Sequence, residues 1–417
     1  MKKASFLFLL FVWLPIGWLA AATSDANTHT VCADCPLSSI RAAVDHAVAG
    51  DIIEVQAGTY LESGITIDKS LHLRGVGEVV IDGQLKDEII IIAADSVTVE
   101  GFELRNSGRS HIKDLAAIRV KRFDHFSIRN NRIIDAFFGI FIENGEYGTI
   151  ADNVLLAKAE SEMDAGNAIH CWYAEYLNII DNYVSGYRDG IYLEFVHHSN
   201  IENNYSAQNI RYGLHFMFSN NDQYRCNTFA ENGAGVAVMF SKEIDMYENE
   251  FLYNWGQASY GLLLKEIYDA EIIDNYFDHN TIGILVEGCA RLEYRENDFH
   301  ANGWAVQMSG GCLDNNFTQN NFQTNTLDLV VNSQVNNNTF NGNYWSEYAG
   351  YDLDRDGLGD VPHRPVKLYA YVISRVPESI ILLRSLFIDL LNFSEKVSPA
   401  FTPEKVIDDQ PLMQAVL

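Results

Sequence analysis

The chain has little proline, few basic residues and, beyond its first residues, no long hydrophobic run. Only 8 prolines stand among 417 residues, which argues against a string of modules joined by proline-rich linkers. Lys and Arg number 29 against 56 Asp and Glu, a formal net charge of −27. Such a chain lacks the basic face that phosphate neutralisation requires, so nucleic acid is excluded as a partner. The one long apolar run, Phe6 to Leu19, contains Pro15 and Gly17 and falls short of the roughly 20 residues that span a bilayer. Lys2 and Lys3 precede it and Ala20-Ala21-Ala22 follows, the layout of a secretory signal peptide over residues 1–22. Export places the remaining chain where cysteine pairs oxidise. With 47% hydrophobic and 12% aromatic residues, the chain is also far too apolar to be disordered.

What is present in abundance is repetition. Units reading Asn-x-Phe/Tyr/Ile recur at Asn131, Asn153, Asn182, Asn204, Asn227, Asn249, Asn275 and Asn297. A small residue followed by apolar-x-apolar precedes each of the last seven, at Gly139, Ala168, Gly190, Gly213, Gly235, Gly261 and Gly283. The distance from that small residue to the next asparagine is 14 in every unit, so all variation in length falls in the preceding turn. A period near 22 residues, with period-two apolar alternation broken by Asn, Gly and Asp, is one coil of a β-solenoid. The predicted fold is a right-handed parallel β-helix over residues 23–345, with asparagines hydrogen-bonding from rung to rung. A capping helix is expected between Ser39 and Gly50, where Ile40, Ala43, Val44, Ala47 and Val48 recur at helical spacing. Asn321 and Asn338 read as late echoes of the repeat, which stops near Asn343-Tyr-Trp.

Alternation also assigns the faces. Residues one and three after the small residue point inward, and those two and four after it point outward in columns about 4.8 Å apart per rung. The outward pairs include His170/Trp172, Tyr192/Glu194, His215/Met217, Ala237/Met239 and Lys265, Glu143 and Glu287 elsewhere in the columns. Met217 and Met239 are therefore expected one above the other, with His215 beside Met217 and Glu194 one rung below. Methionine is ordinarily a core filler, so these two either pack under a covering segment or serve as ligands. Thioethers with an imidazole suit Cu(I). His170 reads as an ordinary packed histidine and Cys171 as a buried small hydrophobe.

Three further features carry alternatives. Cys32-Ala-Asp-Cys35 is either a short disulfide or a thiolate contact for copper. Asp352, Asp354, Asp356 and Asp360, with Gly357, match positions 1, 3, 5, 9 and 6 of a calcium loop, although position 12 is His363 rather than glutamate. The loop either binds Ca²⁺ or is a set of turns closing the coil. Residues 346–417 continue into one or two apolar helices, too charged to span a membrane, that form either a cap or a docking surface through Tyr371, Ile380, Leu383, Leu386 and Phe387.

The chain resembles the NosD family of periplasmic accessory proteins in nitrous oxide reductase maturation. The motifs that carry the resemblance are Arg211-Tyr-Gly-Leu-His-Phe-Met217, Gly233-Ala-Gly-Val-Ala-Val-Met239, Gly342-Asn-Tyr-Trp-Ser-Glu-Tyr348, Asp352-Leu-Asp-Arg-Asp-Gly-Leu-Gly-Asp-Val-Pro362 and Asp409-Gln-Pro-Leu-Met413. The resemblance implies a non-catalytic periplasmic copper carrier. Its partners would be an ABC transporter (an ATPase of NosF type and a membrane subunit of NosY type), nitrous oxide reductase (NosZ type) and a copper-donor lipoprotein (NosL type). Joined to the outward columns, it favours Cu(I) at His215, Met217 and Met239, with Glu194 adjacent and Cys32 and Cys35 as second contacts. The rival class is a polysaccharide lyase, epimerase or glycosidase, or a passive carbohydrate-binding module. Its weakness is that Glu143, Glu194 and Glu287 lie on distant rungs with no adjacent carboxylate pair.

Overall fold

Short strands and turns alternate along the whole coil because the sequence supplies two-residue alternation only in bursts of two to eleven residues. The computed structural model describes residues 26–110, 113–332, 337–383, 385–397 and 406–416; the expected signal peptide lies outside them. Among the described residues, 37 strands pair in parallel, each with the strand one coil earlier and one coil later. The result is a right-handed parallel β-helix with three strands per rung. Tyr212–Met217, Asn220–Arg225 and Thr228–Ala230, for example, pair in register with Ala234–Met239, Lys242–Tyr247 and Glu250–Leu252.

The inward positions build one continuous core from Val31 to Trp345. Within it, Phe251, Phe277, Phe299, Phe322 and Trp345 stack with centroids 4.2–5.0 Å apart, the spacing that strand pairing imposes. The small residue of each unit is set by backbone proximity: a Cβ at Gly213 would lie 2.7 Å from the Gly235 carbonyl oxygen. Each ladder asparagine follows a residue with positive φ, such as Asn203, Cys226 and Glu248, so the chain turns sharply and returns the amide to the interior. There Asn249 Oδ1 accepts from the backbone N–H and side-chain amide of Asn227, while Asn249 Nδ2 donates to the Tyr224 carbonyl and to Asn275.

The late part of the ladder departs from the sequence reading. It runs through Asn297, Asn320 and Asn343, not Asn321. Asn338 belongs to a separate pair with Asn315. A second ladder, from Asn209 through Asn232, Asn254 and Asn280 to Asn302 and Asn325, lines another corner. Buried Asp408 ends the first ladder by accepting from the backbone N–H groups of Gly342 and Asn343, from the Asn343 amide and from the Trp345 indole.

At the other end, α1 (Ile40–His46) covers the first rung with Ile40, Ala43 and Val44. Ser39 caps it, and Glu62 from the coil accepts from the Ile40 and Arg41 amides. The helix stops at His46, short of Gly50. Near the C-terminus, α2 (Leu368–Arg375) and α3 (Leu386–Val397) flank a 3₁₀ turn, Pro377–Leu382. Tyr369, Ala370, Ile373 and Ile388 press these helices on the outer face of the strand Leu327–Val331. Among the described residues, no helix is long and apolar enough to cross a membrane.

Candidate functional site

The register aligns the outward columns as the repeat implies: Glu194 pairs with Met217 and Met217 with Met239, while Tyr192, His215 and Ala237 form the neighbouring column. Both methionines and Glu194 are half-buried. The neighbouring column is a continuous stack. Arg119 lies 4.2 Å over the Phe141 ring; Phe141 meets His170 at 4.4 Å, His170 meets Tyr192 at 4.9 Å, and Tyr192 meets His215 at 4.7 Å. Tyr212, in a third outward column just before the small residue, approaches His215 at 4.8 Å from the side. Above His215 the stack stops at Ala237, which packs with Met239, Tyr212 and Tyr260 in an external apolar cluster.

His215 is only 5% exposed, and neither ring nitrogen has a hydrogen-bond partner. Unpartnered buried nitrogens are uncommon and need an explanation. Burial lowers the pKa of His215 to about 4, an effect that Asp189 opposes. The ring is therefore neutral at neutral pH and free to donate a lone pair. His170 is similar: its Nε2 has no partner, and burial followed by the charges of Arg188 and Arg119 lowers its pKa to about 3. The Tyr192 hydroxyl donates to the Met217 sulfur at 3.7 Å, and burial with the nearby Glu194 charge raises its pKa to about 12. Histidine nitrogens and thioether sulfurs thus occupy two adjacent rungs, with the carboxylates of Glu194 and Asp189 nearby. Met239 also packs against Ala237 and its apolar neighbours, so packing accounts for part of its position.

Beside the stack opens a cleft of about 640 Å³, lined by Glu88, Arg119, Glu143, His170, Trp172 and Glu194 among others. Arg119 is ion-paired with buried Glu88 and reaches Glu143 at 3.5 Å. Arg119 thus bridges two carboxylates in this cleft, one of which, Glu88, lies outside the columns in which Glu143, Glu194 and Glu287 are scattered. Glu88 escaped notice because it precedes the regular repeat. Arg119 had a visible signal: Ala117 stands 14 residues before Asn131, which makes it the first small-residue landmark.

The remaining candidates separate from this face. Cys32 and Cys35 form a disulfide, so neither supplies a thiolate for copper. Cys171 is buried among the inward residues, and burial raises its thiol pKa far out of the titrating range. Asp352, Asp354 and Asp356 bring carboxylate oxygens within 4.8 Å of one another. Asp360 is not part of that group; its carboxylate accepts from the Leu353 amide inside the loop, and His363 packs beside Trp345 and Tyr348. Among the docking candidates, Ile380, Leu386 and Phe387 are exposed and Tyr371 is half-buried. Leu383 instead packs inward against the cluster beneath α2 and α3, because the 3₁₀ turn rotates it toward the coil. Ile381, Leu390 and Phe393 extend the exposed apolar face.

Comparison with known proteins separates fold from family. Two solved structures share the fold at low identity. The Streptococcus pneumoniae surface adhesin PfbA has a TM-score of 0.57 and 12% identity, covering 71% of this chain and 88% of that one. The Yersinia enterocolitica family 28 exopolygalacturonase has a TM-score of 0.56 and 9% identity, covering 76% and 79%. The family model described as periplasmic copper-binding protein (NosD) matches residues 157–350, the span that holds the stacked histidines and both methionines. Proteins named probable ABC transporter binding protein NosD are similar over nearly the whole length. The one from Pseudomonas aeruginosa is 29% identical over 377 residues (86% of this chain, 87% of the relative), and that from Stutzerimonas stutzeri is 27% identical over 378 residues (86% of each). The chain is thus similar to the NosD family over residues 157–350, and to proteins of that name over most of its length.

Proposed function

We propose that this protein is a periplasmic copper-binding accessory protein that handles Cu(I) for assembly of the copper centres of nitrous oxide reductase, in concert with an ABC transporter. The observation that carries the reading is His215: a neutral, buried imidazole with two unpartnered nitrogens, beside thioethers paired on adjacent rungs. Soft and borderline donors of this kind favour Cu(I) over Mg²⁺ or Ca²⁺. Met217 and Met239 supply sulfur, His215 supplies nitrogen, and Glu194 lies at the mouth of the site. The names of the family and of its relatives support copper and the transporter as cargo and partner. The enzyme of NosZ type and a donor lipoprotein of NosL type are the further partners in this reading. The exposed apolar side of α2 and α3, with Ile380, Leu386 and Phe387, is the surface proposed for the transporter's membrane subunit. Its apolar character fits an interface that must stay closed to water. Asp352, Asp354 and Asp356 are proposed as Ca²⁺ ligands that brace the coil's end, without Asp360.

The test is anaerobic Cu(I) titration of the mature chain against a competing chelator. Changing His215, Met217 and Met239 together to Ala should weaken binding at least 100-fold; retention of full affinity would sink the assignment. The rival reading, a polysaccharide-active β-helix, draws on the cleft at Glu88 and Glu143. Arg119 engages both carboxylates, which leaves neither free as a general acid or base. Activity on an acidic polysaccharide in a chain that binds no copper would favour that rival.

A further inference from the structure

A second set of donor side chains lies apart from the stacked histidines. The strands Tyr276–Asp278 and Asp298–His300 pair on adjacent rungs, so Asp278 stands directly beside His300. His300 Nδ1 is 2.7 Å from Asp278 Oδ1, and His279 Nδ1 is 2.8 Å from the same oxygen. Strand alternation would send the side chain of His279 to the opposite face from Asp278. The backbone at His279 is instead left-handed, with φ of 53°, and this brings the ring back to the carboxylate. Tyr253, at the equivalent turn one rung earlier, stacks on His279 at 5.1 Å and holds its plane. The equivalent position one rung later is Ala301, which carries no ring to extend the stack. Asp298, on the same strand as His300, adds negative charge next to the group.

We propose that Asp278, His279 and His300 form a binding site for a divalent first-row transition cation. The donor atoms all lie within 4.8 Å of one another. A zinc-like ion with bonds of about 2.0–2.2 Å holds neighbouring ligand atoms about 3 Å apart, close to the N···O separations already present. Two imidazoles with one carboxylate suit Zn²⁺, Cu²⁺ or Ni²⁺ rather than Ca²⁺ or Mg²⁺, and differ in kind from the sulfur-rich set that suits Cu(I). A three-ligand set leaves at least one coordination position open to water or to a partner's side chain. No histidine or aspartate of this cluster takes part in the His215 site, and its two imidazoles are substantially exposed.

The experiment is calorimetric Zn²⁺ titration of the untagged, metal-free mature chain. One equivalent should bind, and Asp278→Asn, His279→Ala and His300→Gln should each weaken it at least tenfold. Met217→Ala and Met239→Ala should leave it unchanged. His279 sits on an exposed turn, so His279→Ala keeps the test decisive even if the Asp278 variant folds poorly. The proposal is overturned if the wild-type chain takes up no Zn²⁺ at micromolar concentration, or if the three variants bind it as tightly as the wild type.

Discussion

The asparagines inside the rungs and the histidines stacked outside them differ in polar satisfaction. Inward, each asparagine from Asn131 to Asn343 is buried, and its amide is used by neighbours one rung above or below. Outward, the stacked column beside the core buries His215, half-buries His170 and leaves three of their four ring nitrogens without a partner. Both columns are products of one register and one period. The difference teaches that depth of burial does not by itself decide whether a polar group is satisfied, since the inward Tyr187, Tyr224 and Tyr294 hydroxyls are also without partners. The asparagine ladder is satisfied within the fold, whereas the histidine column keeps the unpartnered nitrogens on which the proposed copper site rests.

The largest effect should come from breaking the satisfied side. Asn249→Leu removes the acceptor of the Asn227 backbone N–H and the side-chain donor to the Tyr224 carbonyl, while the Asn227 amide keeps only its bonds to the Ile201 and Arg225 carbonyls. Urea unfolding should record a loss of about 3–5 kcal/mol, since each buried orphan costs about 1–3 kcal/mol. His215→Phe provides the contrast: it removes two unpartnered nitrogens and keeps an aromatic ring in the stack. Stability should stay within about 1 kcal/mol or rise, while Cu(I) affinity falls at least tenfold. A loss of stability like that of Asn249→Leu would erase the distinction between the two sides.

Acid sharpens the comparison because the ladders do not titrate and the histidines do. His170, His215 and His363 have native pKa values lowered by burial to about 3, 4 and 4, against 6.5 when exposed. Between about pH 6.5 and 4 the unfolded chain binds more protons at these rings than the native one. Their neutral burial is therefore without acid penalty above 6.5, and stability falls as pH drops through that window. Each ring contributes on the order of 2–3 kcal/mol to the fall, and His215→Phe should flatten the profile by one such share. A melting temperature independent of pH between 6.5 and 4 would remove the argument for neutral buried rings. The smallest stability effect is expected at the exposed apolar face. Leu386→Ser with Phe387→Ser should change unfolding by less than about 0.5 kcal/mol yet abolish co-purification with the transporter's membrane subunit; unchanged co-purification would remove that docking surface.

Much of the candidate site was legible because a period-two strand in a 22-residue coil leaves no freedom of facing. His215, Met217, Met239 and Glu194 could be placed from spacing alone. Cys32 and Cys35 could not be resolved between disulfide and metal contact, since both need only short separation. The inward packing of Leu383 was not legible, because a 3₁₀ turn does not follow α-helical periodicity. His170 was dismissed as ordinary packing because its orphaned nitrogen is a property of neighbours on other rungs.

By itself, the sequence determined the parallel coil, its register and the residues of its outward columns. Alternation and the constant 14-residue spacing are local rules that one strand cannot satisfy without fixing the next. Only the tertiary structure decided which polar groups find partners. Asp408 closes the ladder from 65 residues beyond Asn343, Glu88 reaches Arg119 from an irregular rung, and a left-handed turn swings His279 onto Asp278. Each of these depends on through-space contact between segments whose separation follows no period, and hydrogen bonds and ion pairs act over a few ångströms of space whatever the distance along the chain.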